Sequence, residues 1–111
     1  MVYSCDIPRK ATIGKNVQFI HNALGVVINT NAVIGNNVWI CHHVTIGTNK
    51  IPCEAPIIGD NVAIQAYAMI LGKVFIGENS VIGAGSIVMH DIPPNTVYFN
   101  KRQEITKRRE N

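Results

Sequence analysis

The 111-residue chain has little charge, few aromatic residues and only three cysteines. Charged residues make up 15% and hydrophobic ones 47%, which is not the composition of a disordered chain. Cys5, Cys41 and Cys53 form no C-x-x-C pair, so neither a disulfide framework nor a cysteine zinc site is indicated. Reduced thiols in a cytoplasmic protein are the expectation. Aromatics are 6% and the net charge is +3, partly from the tail beyond Asn100, which is too little basic and base-stacking surface for a nucleic-acid binder. The mild positive balance does suit an anionic small ligand such as a phosphorylated cofactor. No signal-peptide pattern opens the chain, and no apolar run is long enough to span a membrane as a helix. The length points to one domain.

What the chain does have is a six-residue beat. Ile7, Ile13, Phe19, Ile28, Ile34, Ile40, Ile46, Ile58, Ile64, Ile70, Ile76, Ile82 and Val88 are separated by six residues in ten of twelve intervals. The exceptions are nine, from Phe19 to Ile28, and twelve, from Ile46 to Ile58. The residue four places on from Ile28, Ile34 and Ile40 is Ala32, Val38 and Val44, small or β-branched each time. Neither a helix nor a simple strand repeats every six; a β-helix of hexapeptide repeats does. Gly follows the aliphatic residue at Gly14, Gly35, Gly47, Gly59, Gly77 and Gly83, with Asn or Asp beside it in several hexads. Such residues accept the dihedrals that a corner requires. Each hexad thus reads as one short strand and one corner, and three hexads as a triangular coil of eighteen residues. Between Ile7 and Pro93 there is room for roughly five coils, stacked about 4.8 Å apart. So thin a prism buries little by itself, which predicts a homo-oligomer covering outward apolar groups such as Trp39, Tyr67 and Met69.

The beat fails after Val88, where HDIPPN carries two prolines. The expected organisation is a β-helix domain over 1–95 and a C-terminal strand, Thr96 to Phe99, with a basic tail over 96–111. Lys101 and Arg102 are candidates for a cofactor phosphate; the same cations otherwise form a solvated face.

Two interruptions attract the functional reading. FIHNALGVVI (19–28) is three residues too long for a hexad and must bulge from a corner. It carries His21, and a neutral imidazole is a natural general base near pH 7. Asp6, fifteen residues earlier, is placed to orient that ring from the coil below. On spacing alone His21 is equally a polar loop residue and Asp6 a turn former. GTNKIPCEAP (47–56) keeps the phase but has loop composition, and is expected to project beside the same region. His42 and His43, read as neighbours in a strand, should point to opposite faces; with no third ligand placed to help, no metal is expected. Thr48, Ala66 and Ala84 stand eighteen apart and should stack as a ladder of small residues against which an extended ligand could lie. Small residues that merely turn the corner would give the same pattern.

The beat, the FIHNALGVVI loop, VTIGTN and IGAGSIVMHDIPPN together resemble the hexapeptide-repeat acyltransferases, and more narrowly the serine acetyltransferases and their sugar-modifying relatives. The resemblance runs from about Cys5 to Asn95. It implies an all-β, left-handed parallel β-helix with a short C-terminal tail. It implies homotrimers with acetyl-CoA in the groove between prisms, and direct transfer with no covalent acyl-enzyme. It implies that His21 deprotonates an acceptor hydroxyl and that Asp6 orients His21. Gly47, Thr48, Ala66, Ala84 and Lys101 are then the candidate cofactor contacts. Where the serine enzymes read Asp-His, this chain has Ile20 before His21, and where they carry a second His, it has Ala55. The loop is one residue longer than their usual turn, and their helical N-terminal domain has no counterpart in this sequence. The expected function is therefore acetyl transfer from acetyl-CoA to a hydroxyl of a sugar or glycan precursor. Serine O-acetyl transfer and a non-catalytic structural trimer are the alternatives. The threonine array of an ice-binding prism and the three converging histidines of a zinc hydratase are both lacking.

Overall fold

The computed structural model describes residues 6–100. It is a parallel β-helix. Thirteen short strands wind in sequence around a prism with three faces. The first face carries β1 (Thr12–Ile13), β4 (Val33–Ile34), β7 (Ile57–Ile58) and β10 (Phe75–Ile76). The second carries β2 (Gln18–Phe19), β5 (Trp39–Ile40), β8 (Ala63–Ile64), β11 (Val81–Ile82) and β13 (Val97–Tyr98). The third carries β3 (Val27–Ile28), β6 (Thr45–Gly47), β9 (Met69–Leu71) and β12 (Ile87–Val88). All strand pairings are parallel. Asp6 adds a partial rung below β3 by bridging Val27, and Ile92 adds one beside Ile76 on the first face.

The beat explains this architecture directly. The second residue of each strand points inward, so Ile28, Ile34, Ile40, Ile46, Ile58, Ile64, Ile70, Ile76, Ile82 and Val88 are buried and stack in register. The residue four places later is the second inward position: Ala32, Val38, Val44, Val62, Ala68 and Val74 are buried too. Ile7, Ile13 and Phe19 pack half-buried at the open lower end. In the last coil the second inward position passes to serine. Ser80 Oγ donates to the Pro93 carbonyl at 2.9 Å and accepts from the Thr96 N–H at 3.2 Å; Ser86 Oγ accepts from the Asn100 N–H at 3.3 Å. These bonds satisfy two buried hydroxyls and lead the chain past the prolines into β13, the strand expected at Thr96 to Phe99.

Each corner between the first and second faces is closed by an asparagine in the left-handed region: Asn16, Asn37, Asn61, Asn79 and Asn95, with φ between 56° and 59°. Asparagine tolerates this geometry better than other non-glycine residues.

The twelve-residue interval changes the register. Successive coils are eighteen residues apart from β3 to β6, where Ile28 pairs with Ile46, and twenty-four apart from β6 to β9, where Ile46 pairs with Ile70. One hexad's worth of chain is looped out between the third and first faces. Thr48 therefore does not stack under Ala66. Ala66 follows β8 and Ala84 follows β11, both at the corner between the second and third faces, and the Gly85 N–H donates to the Ala66 carbonyl at 2.9 Å. The rung below Ala66 at that corner is His42, whose carbonyl accepts from the Tyr67 N–H at 3.1 Å. The loop itself leaves the far edge of the third face, not the corner that carries His21.

Candidate active site

The bulge expected at 19–28 leaves the corner between the second and third faces. Ile20–Ala23 form a tight 3-10-like turn in which His21, Asn22 and Ala23 are all left-handed, with φ of 57°, 56° and 60°. Ala23 is buried as the anchor, while His21 and Asn22 are exposed. The turn is held by the backbone: Leu24 N–H to His21 O at 3.1 Å, Val26 N–H to Ala23 O at 3.0 Å, and His43 N–H to Leu24 O at 2.7 Å. Gly25 follows with φ of 68°, and a side chain there would run into the His43 ring. Three consecutive non-glycine residues at positive φ cost on the order of 1–3 kcal/mol each, and strain of this kind gathers at functional sites.

His42 and His43 were expected on opposite faces of a strand; they lie instead at the corner after β5, where a turn lets both rings approach each other. His43 has φ of 56° and Tyr67, one rung higher, 65°. They fill the corner slot that asparagine fills elsewhere. Because they share it on consecutive rungs, their rings stack at a centroid distance of 4.8 Å and 15°. His42 stands between them and the bulge, 5.0 Å from His21, 5.6 Å from His43 and 5.4 Å from Tyr67, edge-on to all three. Its Nδ1 is buried without a hydrogen-bond partner. Sequence reasoning did not bring this cluster to His21. The signal was available, since the three residues after Ile40 hold the same hexad positions as the Gly35–Asn37 corner. Among the described residues no group of three His, Cys, Asp or Glu side chains converges to hold a metal ion.

Asp6 lies on the third face beside Val27, on the rung below the strand into which the bulge leads. Its backbone bonds to Val26 O at 2.8 Å and from Ile28 N–H at 2.9 Å. Its exposed side chain lines a shallow hollow with Val27, Asn29, Thr30, Gly47 and Thr48. Two candidate cofactor residues, Gly47 and Thr48, thus line the same hollow as Asp6, beyond the β3 rung. Ala66 is half-buried and Ala84 exposed on the corner above His42, where the Ala84 N–H donates to Gln65 Oε1 at 3.3 Å. Lys101 lies outside the described residues. Of the outward apolar groups, Trp39 is 52% and Tyr67 58% exposed, Met69 is half-buried, and all three flank this one edge of the prism.

The family model of bacterial transferase hexapeptides, six repeats, matches residues 55–90. Over these residues the chain is similar to the hexapeptide-repeat transferases. The relatives described next are serine acetyltransferases by name. It is 54% identical to a probable serine acetyltransferase of Oryza sativa subsp. japonica, over 86% of this chain and 32% of the relative. It is 40% identical to the serine acetyltransferase of Buchnera aphidicola subsp. Schizaphis graminum, over 99% of this chain and 43% of the relative. The fold superposes on soybean serine acetyltransferase complexed with serine with a TM-score of 0.77 at 49% identity, covering 83% of this chain and 39% of that one. A serine acetyltransferase in complex with CoA gives 0.72 at 35% identity, over 78% of this chain and 36% of that one. The chain thus spans about a third to two-fifths of the length of these hexapeptide-repeat transferases. These proteins are named for serine, whereas the sequence led to the expectation of a sugar or glycan acceptor.

Proposed function

We propose that this chain carries the transfer site of an acetyl-CoA-dependent O-acetyltransferase, with His21 as general base and serine as the first acceptor to test. The observation that carries the reading is the bulge. It holds an exposed imidazole out from a rigid corner on three left-handed residues, at the edge where the family resemblance puts the acyl donor. Relatives bearing the serine acetyltransferase name, and solved structures of such enzymes with serine and with CoA, support the choice of substrates.

In the proposed reaction a His21 ring nitrogen accepts the acceptor's hydroxyl proton as its oxygen attacks the thioester carbonyl. The carbon–sulfur bond breaks, and the departing thiolate takes the proton from the imidazolium. Asp6 is assigned to orient His21 through its other ring nitrogen; among the described residues no hydrogen bond joins the two side chains, and His42 meets the His21 ring edge-on. Ala66 and Ala84 leave room for the pantetheine arm along the corner, and Gly47, Thr48 and Lys101 are assigned to the remainder of the donor. Homotrimer assembly supplies the second wall of the groove and covers Trp39 and Met69.

A sugar or glycan hydroxyl is the second reading. It is favoured by Ile20 and Ala55, which stand where the serine enzymes carry Asp and His; Ala55 is moreover buried against the core. Thiol release from acetyl-CoA, measured with serine and then with a panel of sugars, separates the two. Replacing His21 with Ala should lower turnover by about 10²- to 10⁴-fold while leaving acetyl-CoA affinity nearly unchanged. Retained turnover removes His21 from the mechanism, and failure to bind acetyl-CoA by calorimetry leaves only a structural trimer.

A further inference from the structure

Resting on the reading of His21 as the base, we propose that His42 is a positioning residue: its ring is the buttress that holds the His21 imidazole at the corner. A base works only when its nitrogen is held within hydrogen-bond reach of the proton it takes. The His21 side chain is exposed, and its loop is tied through backbone bonds. What meets its ring is His42, edge-on at 5.0 Å and 84°. Edge-to-face contact at this distance is attractive and directional, so it selects one ring orientation.

His42 is itself fixed. His43 and Tyr67 close its other sides at 5.6 Å and 5.4 Å, again nearly perpendicular. A buried imidazole nitrogen without a partner is unfavourable, and the Nδ1 of His42 is one. Nδ1 therefore makes no hydrogen bond that would hold His42 in place, whereas the ring itself meets His21, His43 and Tyr67. The walls tell the same story. The corners between the first and second faces close with asparagine, and Gly85 takes the slot two rungs above His43. A corner needs no aromatic ring. Two bulky residues are nonetheless held at positive φ at this corner, one on His42's own rung and one on the rung above.

The test uses the full chain with labelled histidine and the variants His42→Ala, His42→Phe and His21→Ala. Turnover is read as thiol release from acetyl-CoA with serine, then with monosaccharides, and the His21 ring by its carbon–proton resonance and relaxation. His42→Ala should lower kcat by about 10- to 100-fold, with KM for acetyl-CoA changed by no more than about twofold. It should also shift the His21 resonance and add fast ring motion. His42→Phe, which keeps the ring and removes both nitrogens, should hold kcat to within about threefold of the parent. If His42→Ala leaves kcat and the His21 resonance unchanged while His21→Ala abolishes turnover, the buttress is wrong and the base stands. If His21→Ala retains turnover, the base reading itself is lost. A folded His42→Phe variant as poor as His42→Ala also overturns the proposal, because the nitrogens would then matter. Should no acceptor give turnover, an unchanged His21 resonance in His42→Ala is sufficient to refute it.

Discussion

Consider Gly59 replaced by alanine. Gly59 closes the strand β7 and donates its N–H to the Ile76 carbonyl of the next coil at 2.8 Å. A Cβ at this position would lie 2.9 Å from that same carbonyl oxygen, 2.9 Å from the Glu78 nitrogen and 3.2 Å from the Glu78 Cα. Comfortable contact begins at about 3.5 Å, so the rung above must retreat by roughly 0.6 Å. All three atoms are backbone, and no rotamer change can relieve them. The retreat stretches the hydrogen bond that joins the coils and opens the Ile58–Ile76 contact beneath it. Overpacking of this kind costs about 1–3 kcal/mol. Gly47→Ala is the control, because its Cβ would meet only side-chain carbons at 3.7 Å; its effect should stay within about 0.5 kcal/mol. Urea unfolding of both variants at one protein concentration, followed by circular dichroism, measures the difference; fixing the concentration matters because assembly would add to apparent stability. Equal midpoints for the two variants would refute the claim that glycine is required there by the approach of the next rung.

Three further outcomes follow from the same geometry. Ile64 is wholly buried between Ile40 and Ile82, so Ile64→Ala should cost about 2–5 kcal/mol in urea unfolding; the half-buried Ile13 should cost visibly less when truncated in the same way. Asn61, at φ of 57°, should accept glycine with little change, whereas Asn61→Val should lose about 1–2 kcal/mol through the left-handed clash of its Cβ. Ala84→Trp adds bulk at an exposed position on the corner assigned to the pantetheine arm. It should weaken acetyl-CoA binding about tenfold or more by calorimetry, near 1.4 kcal/mol, without shifting the unfolding midpoint.

The prism was legible because its cause is periodic. A buried aliphatic residue every sixth position, with a small one four places later, leaves one way to fold the chain, and Ile28 to Val88 are buried as that pattern requires. The placement of Thr48 was not legible, for a physical reason. Twelve residues between Ile46 and Ile58 preserve the inward phase whether the second hexad forms a rung or is looped out, and only the pairing of Ile46 with Ile70 distinguishes the two. His42 and His43 were misread because two adjacent polar residues beside an apolar stretch look like strand. Counting from Ile40 would have put them in the corner. The stack of His43 on Tyr67 needs the shifted register to be seen at all, since the two are twenty-four residues apart rather than eighteen.

The extra hexad between β6 and β7 has a consequence for how such chains diversify. Its two ends are pinned by strands that stay in phase, and between Thr48 and Glu54 no residue is buried in the stacked interior. A stretch freed in this way can be rewritten, lengthened or exchanged without retuning the scaffold. Novelty in what such a protein handles is then cheapest to acquire at this edge, by insertion, while the part that dictates its shape stays as it was.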